Sequence, residues 1–246
     1  MMRLLLATRN PHKAREIGEM LRGLPIRLTT LEEFPGISEV EEDGATLEEN
    51  ARKKAASPAR ESGLWALADD TGLEVSALEG APGVRSARYA GPDCDYAANN
   101  KKLLAELRGV PARRRGAVFR CVMALTGPEG RTILEEGRLE GRIVGRPRGK
   151  NGFGYDPLFL VLSKGKTLAE LSAAAKNELS HRSLALRKIR SHLEGLALES
   201  DEAPRVLAPA GGIAGSCPCC GLELEDWHCR RLCRGCGFQM DCTDPF

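Results

Sequence analysis

The stretch from Arg3 to Thr8 most constrains the fold. It is a short apolar run ending in a turn, and Asn10-Pro11 follows directly as an N-cap with proline at the first helical position. Strand, tight turn and helix in succession form the unit of an α/β domain. Ala14, Ile17, Met20 and Leu21 recur at helical spacing and give that helix one apolar face. Alternation of this kind continues to about residue 198. Thr46-Leu47-Glu48-Glu49 is a capping box that opens a second helix, with Asn50 and Lys54 one turn apart on one face. Pro58 is expected to kink or end that helix. Leu64 to Ala68 reads as a buried strand that delivers Asp69 and Asp70 at its C-terminal end. Ala117 to Leu125 is an apolar strand, and Thr132 to Val144 predicts one or two more. Asn99–Arg108, Leu168–Leu171 and Ser183–Leu193 read as helices.

The chain of 246 residues is long enough for one substantial domain plus a small appendage. A net charge of +2, well mixed along the chain, is too small to imply a nucleic-acid surface. The Arg113-Arg114-Arg115 run lacks interleaved aromatics and reads as a solvated loop. No apolar stretch is long enough to span a membrane, and Leu4-Leu5-Leu6-Ala7 is too short for a signal-peptide core. A cytoplasmic enzyme is the default expectation.

Four polar segments carry the chemistry. Thr8 to Lys13 places unpaired backbone N–H groups and the Lys13 cation at a helix N-terminus, which suits a phosphate. An ordinary strand-to-helix connection with a solvated lysine would look the same. Asp69-Asp70 lies where open α/β sheets put their sites, and neighbouring carboxylates call for a cation such as Mg²⁺. Glu42 offers another oxygen ligand, while an aspartate capping a turn at Gly72 is the rival reading. Gly152 to Pro157 sets Phe153 between two glycines in a chain with only 4% aromatics, so a flat ligand could stack there. Phe153 and Tyr155 plugging the core is the alternative. Lys176, His181 and Arg182 can grip a carbonyl or phosphate, or cap a helix on the surface.

Taken in order, these segments resemble the inosine triphosphate pyrophosphatase family over residues 3 to 195. The shared motifs are Leu6-Ala7-Thr8 with Asn10 and Lys13; Glu42 with Gly44, Thr46, Glu49, Asn50 and Lys54; Ala68 to Leu73; Gly80 to Gly83 with Ser86 to Tyr89; Gly152 to Pro157; and Ser180-His181-Arg182. The resemblance implies a two-lobed α/β fold with a long mixed β-sheet flanked by helices and a cleft between lobes, commonly in a homodimer. It implies hydrolysis of non-canonical purine nucleoside triphosphates (ITP, dITP, XTP) to monophosphate and pyrophosphate. Thr8, Arg9, Asn10, Pro11, His12, Lys13 and Lys54 would hold phosphates, and Glu42 and Asp70 would bind Mg²⁺. Asp70 matches the proton acceptor that activates water, with Lys54 and Asp69 as its catalytic neighbours. Thr71 would touch substrate, and Phe153, Gly154, Tyr155, Asp156, Lys176, His181 and Arg182 would form the base pocket. Arg9 and His12 depart from the family's small residues, so their side chains are expected to point away from the phosphates or make contacts of their own.

Residues 199–216 change character, with Pro204, Pro209, Gly211, Gly212 and Gly215 among small residues, and read as a linker. Seven of the nine cysteines then fall between Cys217 and Cys242. Cys217-Pro218-Cys219-Cys220-Gly221 and Cys233-Arg234-Gly235-Cys236-Gly237 resemble the two knuckles of a zinc ribbon over residues 217–246. Cys217, Cys220, Cys233 and Cys236 are the expected ligands of a structural Zn²⁺, with Cys219, Cys229, Cys242 and His228 as spare candidates, in a module whose partner is unknown. A different class of function stays open: a nucleic-acid- or protein-binding adaptor whose nucleotide domain only senses its ligand.

Overall fold

A computed structural model describes residues 1–202, 222, 225–227, 230–232 and 239–241. The chain divides into two compact units, Met1–Leu198 and Glu199–Phe246. The first unit is built on a mixed eight-stranded sheet in the order β2-β1-β3-β5-β6-β7-β8, with β4 paired to β3. Its strands are β1 (Met2–Leu6), β2 (Ile26–Thr30), β3 (Trp65–Val75), β4 (Pro82–Gly83), β5 (Gly116–Thr126), β6 (Thr132–Ile143), β7 (Phe159–Val161) and β8 (Lys166–Thr167). β1 runs parallel to β2 and β3, and the remaining pairs are antiparallel. This is the expected α/β fold with a mixed sheet flanked by helices.

Helix α1 (Pro11–Leu21) begins at Asn10, whose side chain accepts from the N–H groups of His12 and Lys13. It packs with α5 (His181–Glu202) on one face of the sheet, where Ile17, Leu21, Leu186, Ile189 and Leu193 meet Leu4, Leu6, Leu67, Cys121 and Met123. Helix α2 (Leu47–Ser62) covers the other face, packing Leu47, Ala51, Ala55 and Ala59 on Leu5, Ala66, Ala68, Val122 and Ala124. The numbering alternates because successive strand residues point to opposite faces. A third cluster, around Leu73, Leu103, Leu107, Phe119, Leu158 and Phe159, packs α3 (Tyr96–Glu106) against the far end of the long strands.

Several expectations need correction. β3 does not stop at Ala68; it continues through Asp69 and Asp70 because β5 pairs with it from Ala66 to Val75. Pro58 sits inside α2, buried against the core, and the helix runs on to Ser62 before Gly63 ends it in a left-handed conformation. Burial of the neighbouring Ala55 and Ala59 holds the helix through the missing N–H. Thr132 to Ile143 is one strand. Leu168–Glu170 is a single 3₁₀ turn, the short helix α4 (Ala173–Leu179) follows it, and α5 starts at His181 rather than Ser183.

In the second unit, Glu225–Trp227, Arg230–Leu232 and Gln239–Asp241 form a three-stranded antiparallel sheet with Arg230–Leu232 central. Cys217, Cys220, Cys233 and Cys236 lie outside the described residues. Among the described residues no helix is long and apolar enough to cross a membrane.

Candidate active site

The sheet itself creates an opening. β1 stops pairing with β3 at Leu67, and β4 resumes only at Leu73. Among the described residues no strand covers that edge of β3 from Asp69 to Thr71. The gap lies just past the C-terminal end of a parallel strand, where open α/β sheets place their ligands. A pocket of about 540 Å³ occupies it. Thr8, Arg9, Asn10, Pro11, His12 and Lys13 line the pocket from the β1–α1 turn, Glu42 and Lys54 from the α2 side, and Asp70 and Thr71 from β3. Phe153, Gly154, Tyr155 and Asp156 line it from the loop before β7, with Lys176, His181 and Arg182 from α4 and α5. Residues more than 170 positions apart are thus gathered at one place. Asp69 alone of the expected set lies behind the wall.

Asp69 and Asp70 follow the strand rule. Their carboxylates point to opposite faces of β3, so each meets its own lysine and they do not pair on one ion. Asp69, buried to 1% exposure, is 2.9 Å from Lys13 Nζ and 3.4 Å from an Arg182 Nη, and it accepts from Thr71 Oγ1 at 3.0 Å. Burial works against its charge, but the Lys13 and Arg182 cations hold its carboxyl well below the usual range. Asp70 accepts from Lys54 Nζ at 3.2 Å and from Asn50 Nδ2 at 3.2 Å. Burial pushes the Asp70 carboxyl up, with Glu42 and Asp69 adding to it, against the pull of Lys54 and Lys13.

Glu42 comes within 3.2 Å of the same Lys54 Nζ. Two carboxylates from separate segments therefore converge on one cation at the pocket wall. Oxygen donors in that number, beside room for phosphate oxygens, suit a hard divalent ion such as Mg²⁺. Among the described residues no group of three or more His, Cys, Asp or Glu gathers to hold a metal.

The other end of the pocket is a chain of alternating charges. Lys176 Nζ is 2.8 Å from Glu16 and 2.7 Å from Asp156 Oδ2, and an Arg182 Nη is 2.6 Å from Glu16. Asp156 Oδ2 also accepts from the Phe153 N–H at 3.0 Å, which fixes the aromatic loop. Gly152, at φ +74°, is required there, because a Cβ would strike that same carboxylate oxygen. Lys176 Nζ lies 5.1 Å and Arg182 Cζ 5.4 Å from the Phe153 ring centre, so two cations lie over the half-buried ring. His181 is buried and stacks on Phe119 at 4.5 Å, and among the described residues its Nδ1 has no partner. Burial and the nearby Arg182 and Lys176 charges drive its pKa well below the ordinary value, so the ring is neutral. Tyr155 is buried and donates to the Ser86 carbonyl at 2.9 Å, so its hydroxyl is committed to the wall.

Arg9 turns aside, donating to the Ile37 carbonyl at 3.4 Å, and His12 stacks on Phe153. Three residues outside the sequence expectations also matter. Glu16 ties α1 to Lys176 and Arg182, Tyr96 accepts from Asn10 Nδ2 at 3.2 Å, and Asn100 donates to the Gly154 carbonyl at 2.9 Å. Glu16 sits one helical turn from Lys13, which is a signal visible in the sequence. Tyr96 and Asn100 share a helix face too, but nothing local says what that face meets.

The same arrangement has relatives. The profile of the Ham1 family matches residues 4–192, and the chain belongs to that family. It is 54% identical over 199 residues to a dITP/XTP pyrophosphatase of Geobacter sulfurreducens, covering 81% of this chain and 100% of that one. Among solved structures, a HAM1 protein of Coxiella burnetii is similar at 43% identity and a TM-score of 0.73, covering 79% of this chain and 100% of the other. A nucleoside-triphosphatase / dITP/XTP pyrophosphatase of Mycobacterium abscessus is similar at 44% identity and a TM-score of 0.64, covering 76% and 98%.

Proposed function

We propose that this protein hydrolyses non-canonical purine nucleoside triphosphates (ITP, dITP and XTP) to the monophosphate and pyrophosphate, and so cleanses the cytoplasmic nucleotide pool. One observation carries the reading. A single pocket has lysines and converging carboxylates at one end and a cation-flanked aromatic ring at the other. That is the layout of a polyphosphate site joined to a base site.

In this reading Lys13, Lys54 and the N–H groups at the start of α1 hold the phosphates. Asp70 accepts the proton of the water that attacks the α-phosphorus. A carboxylate pushed above its usual range is a better base near neutral pH. The bond from the α-phosphorus to its bridging oxygen breaks, that oxygen leaves with the β- and γ-phosphates, and the lysines balance the charge that gathers on pyrophosphate. Glu42 and Asp70 would hold Mg²⁺, which when bound neutralises the polyphosphate and polarises its phosphoryl oxygens. Asp69 acts through Lys13, Thr71 and Arg182 as a positioning residue. Phe153 stacks the base, and the donors on Lys176 and Arg182 favour a 6-keto oxygen over a 6-amino group, which would leave buried donors unpaired.

Of the linker expected over residues 199–216, the first four residues continue α5 to Glu202; the rest leads to a zinc-ribbon-like module over residues 217–246. Four thiolates in two Cys-x-x-Cys pairs, Cys217, Cys220, Cys233 and Cys236, are a complete tetrahedral donor set for structural Zn²⁺. A homodimer is the expected assembly. Purified protein given dITP and ATP with Mg²⁺ should release pyrophosphate mainly from dITP, and equal rates would remove the specificity claim. Metal content and size-exclusion behaviour, measured on the full chain and on a truncation after Ser200, test the zinc module and the dimer.

A further inference from the structure

His12 belongs by position to the phosphate turn, yet its side chain faces the base end. Its imidazole stacks on Phe153 with ring centres 5.2 Å apart and planes 17° from parallel. Tyr96 leans on the same phenyl ring at 6.0 Å and 39°. Among the described residues the imidazole nitrogens make no hydrogen bond, while the His12 backbone N–H is pinned by Asn10 Oδ1 at 2.9 Å. The backbone is therefore fixed and the ring is held only by stacking.

The spacing matters. A planar base between two parallel rings needs two carbon–carbon contacts of roughly 3.5 Å each, or about 7 Å between ring planes. At 5.2 Å the gap is too narrow. Rotation about the His12 side-chain bonds widens it without disturbing the α1 cap or Lys13. The ring is half-buried at the pocket wall, with open space on its pocket side.

We propose that His12 is the second stacking surface for the base: its imidazole swings off Phe153, admits the purine, and closes on the opposite face as a sandwich. The assignment rests on the nucleotide reading above and gives a residue of the phosphate turn a role at the base. Stacking is indifferent to the base edge, so His12 sets affinity and leaves discrimination to Lys176 and Arg182.

The test is His12→Ala beside His12→Phe, with KM for dITP and XTP and equilibrium binding of IMP. His12→Ala should raise both KM values and the IMP dissociation constant alike, by at least about fivefold. His12→Phe should bring them back to within about twofold of the natural protein, since a phenyl ring stacks as well as an imidazole. Unchanged or lower KM in His12→Ala would mean that the imidazole merely competes with the base for Phe153, and would overturn the proposal. Failure of His12→Phe to restore binding would point to a polar role and overturn it too. Should the natural protein release no pyrophosphate from dITP, the pyrophosphatase reading fails, and IMP binding to the two variants still decides the sandwich.

Discussion

Asp69 and Asp70 are adjacent in the chain and face opposite sides of one strand: Asp69 Oδ2 lies 2.9 Å from Lys13 Nζ and Asp70 Oδ1 lies 3.2 Å from Lys54 Nζ. One secures the helix that carries the first lysine, and the other meets the pocket. Replacing them should therefore have different consequences. Asp70→Asn should cut pyrophosphate release from dITP by about a thousandfold with the fold intact, as expected on losing the group that takes the proton. Asp69→Asn removes the carboxylate from half-buried Lys13 and leaves buried Arg182 to Glu16 alone, and should cost about 1–3 kcal/mol of stability, with a raised KM. Steady-state kinetics and urea midpoints on both variants separate the two roles.

Glu16 offers a test through pH. Burial opposes its ionisation, but Arg182 and Lys176 outweigh burial and lower its pKa from the ordinary 4.5. A carboxyl whose folded pKa is depressed adds stability that is complete above about pH 4.5 and fades as pH falls through the folded value. Glu16→Gln should thus lose stability at pH 7 and show a flatter fall in urea midpoint between pH 5 and pH 3 (both about the ordinary carboxylate range) than the natural protein. Parallel curves for the two proteins would contradict the assignment.

Gly137 on β6 lies against the first turn of α5, where an added Cβ would collide with the His181 carbonyl oxygen and the Ala185 nitrogen. Both are backbone atoms and cannot turn away. Gly137→Ala should cost about 1–3 kcal/mol by overpacking and should raise KM as well, because the displaced turn carries His181 and Arg182. Thermal melts paired with kinetics check this.

Asn10 serves two neighbours. Its Oδ1 caps α1 at the His12 and Lys13 N–H groups, and its Nδ2 donates to Tyr96. Asn10→Ala should lower stability by about 1–2 kcal/mol through the lost cap. Asn10→Asp keeps the cap and loses the donor, so its stability should recover most of that loss while a negative charge at the phosphate turn weakens nucleotide binding. Melting curves and IMP titration distinguish the two variants.

Much of this was legible in the chain. Asn10-Pro11 predicts the start of α1, Thr46 caps α2 as its capping box implies, and the long apolar runs become the central strands. The residues expected to serve catalysis, Mg²⁺ or the nucleotide line one pocket, apart from Asp69. Local rules misjudged Pro58 and the end of β3 because both are held by partners distant in sequence. Ala55 and Ala59 are buried against the sheet beneath the proline, and β5 extends β3 through ten paired positions. Helix α4 was missed because Ala173-Ala174-Ala175 has no apolar periodicity to announce it.

By itself the sequence determined most of the segments that are strand or helix and which residues could hold a phosphate, a cation or a base. Those properties follow from caps, spacing and side-chain chemistry, all of which act over a few residues. Only the tertiary structure decided which carboxylate meets the pocket, that Glu16 reaches Lys176 across 160 positions, and that His12 lies over Phe153. Strand pairing sets which face each residue presents, and helix packing sets what that face meets. Neither is written in any stretch of the chain short enough to read alone.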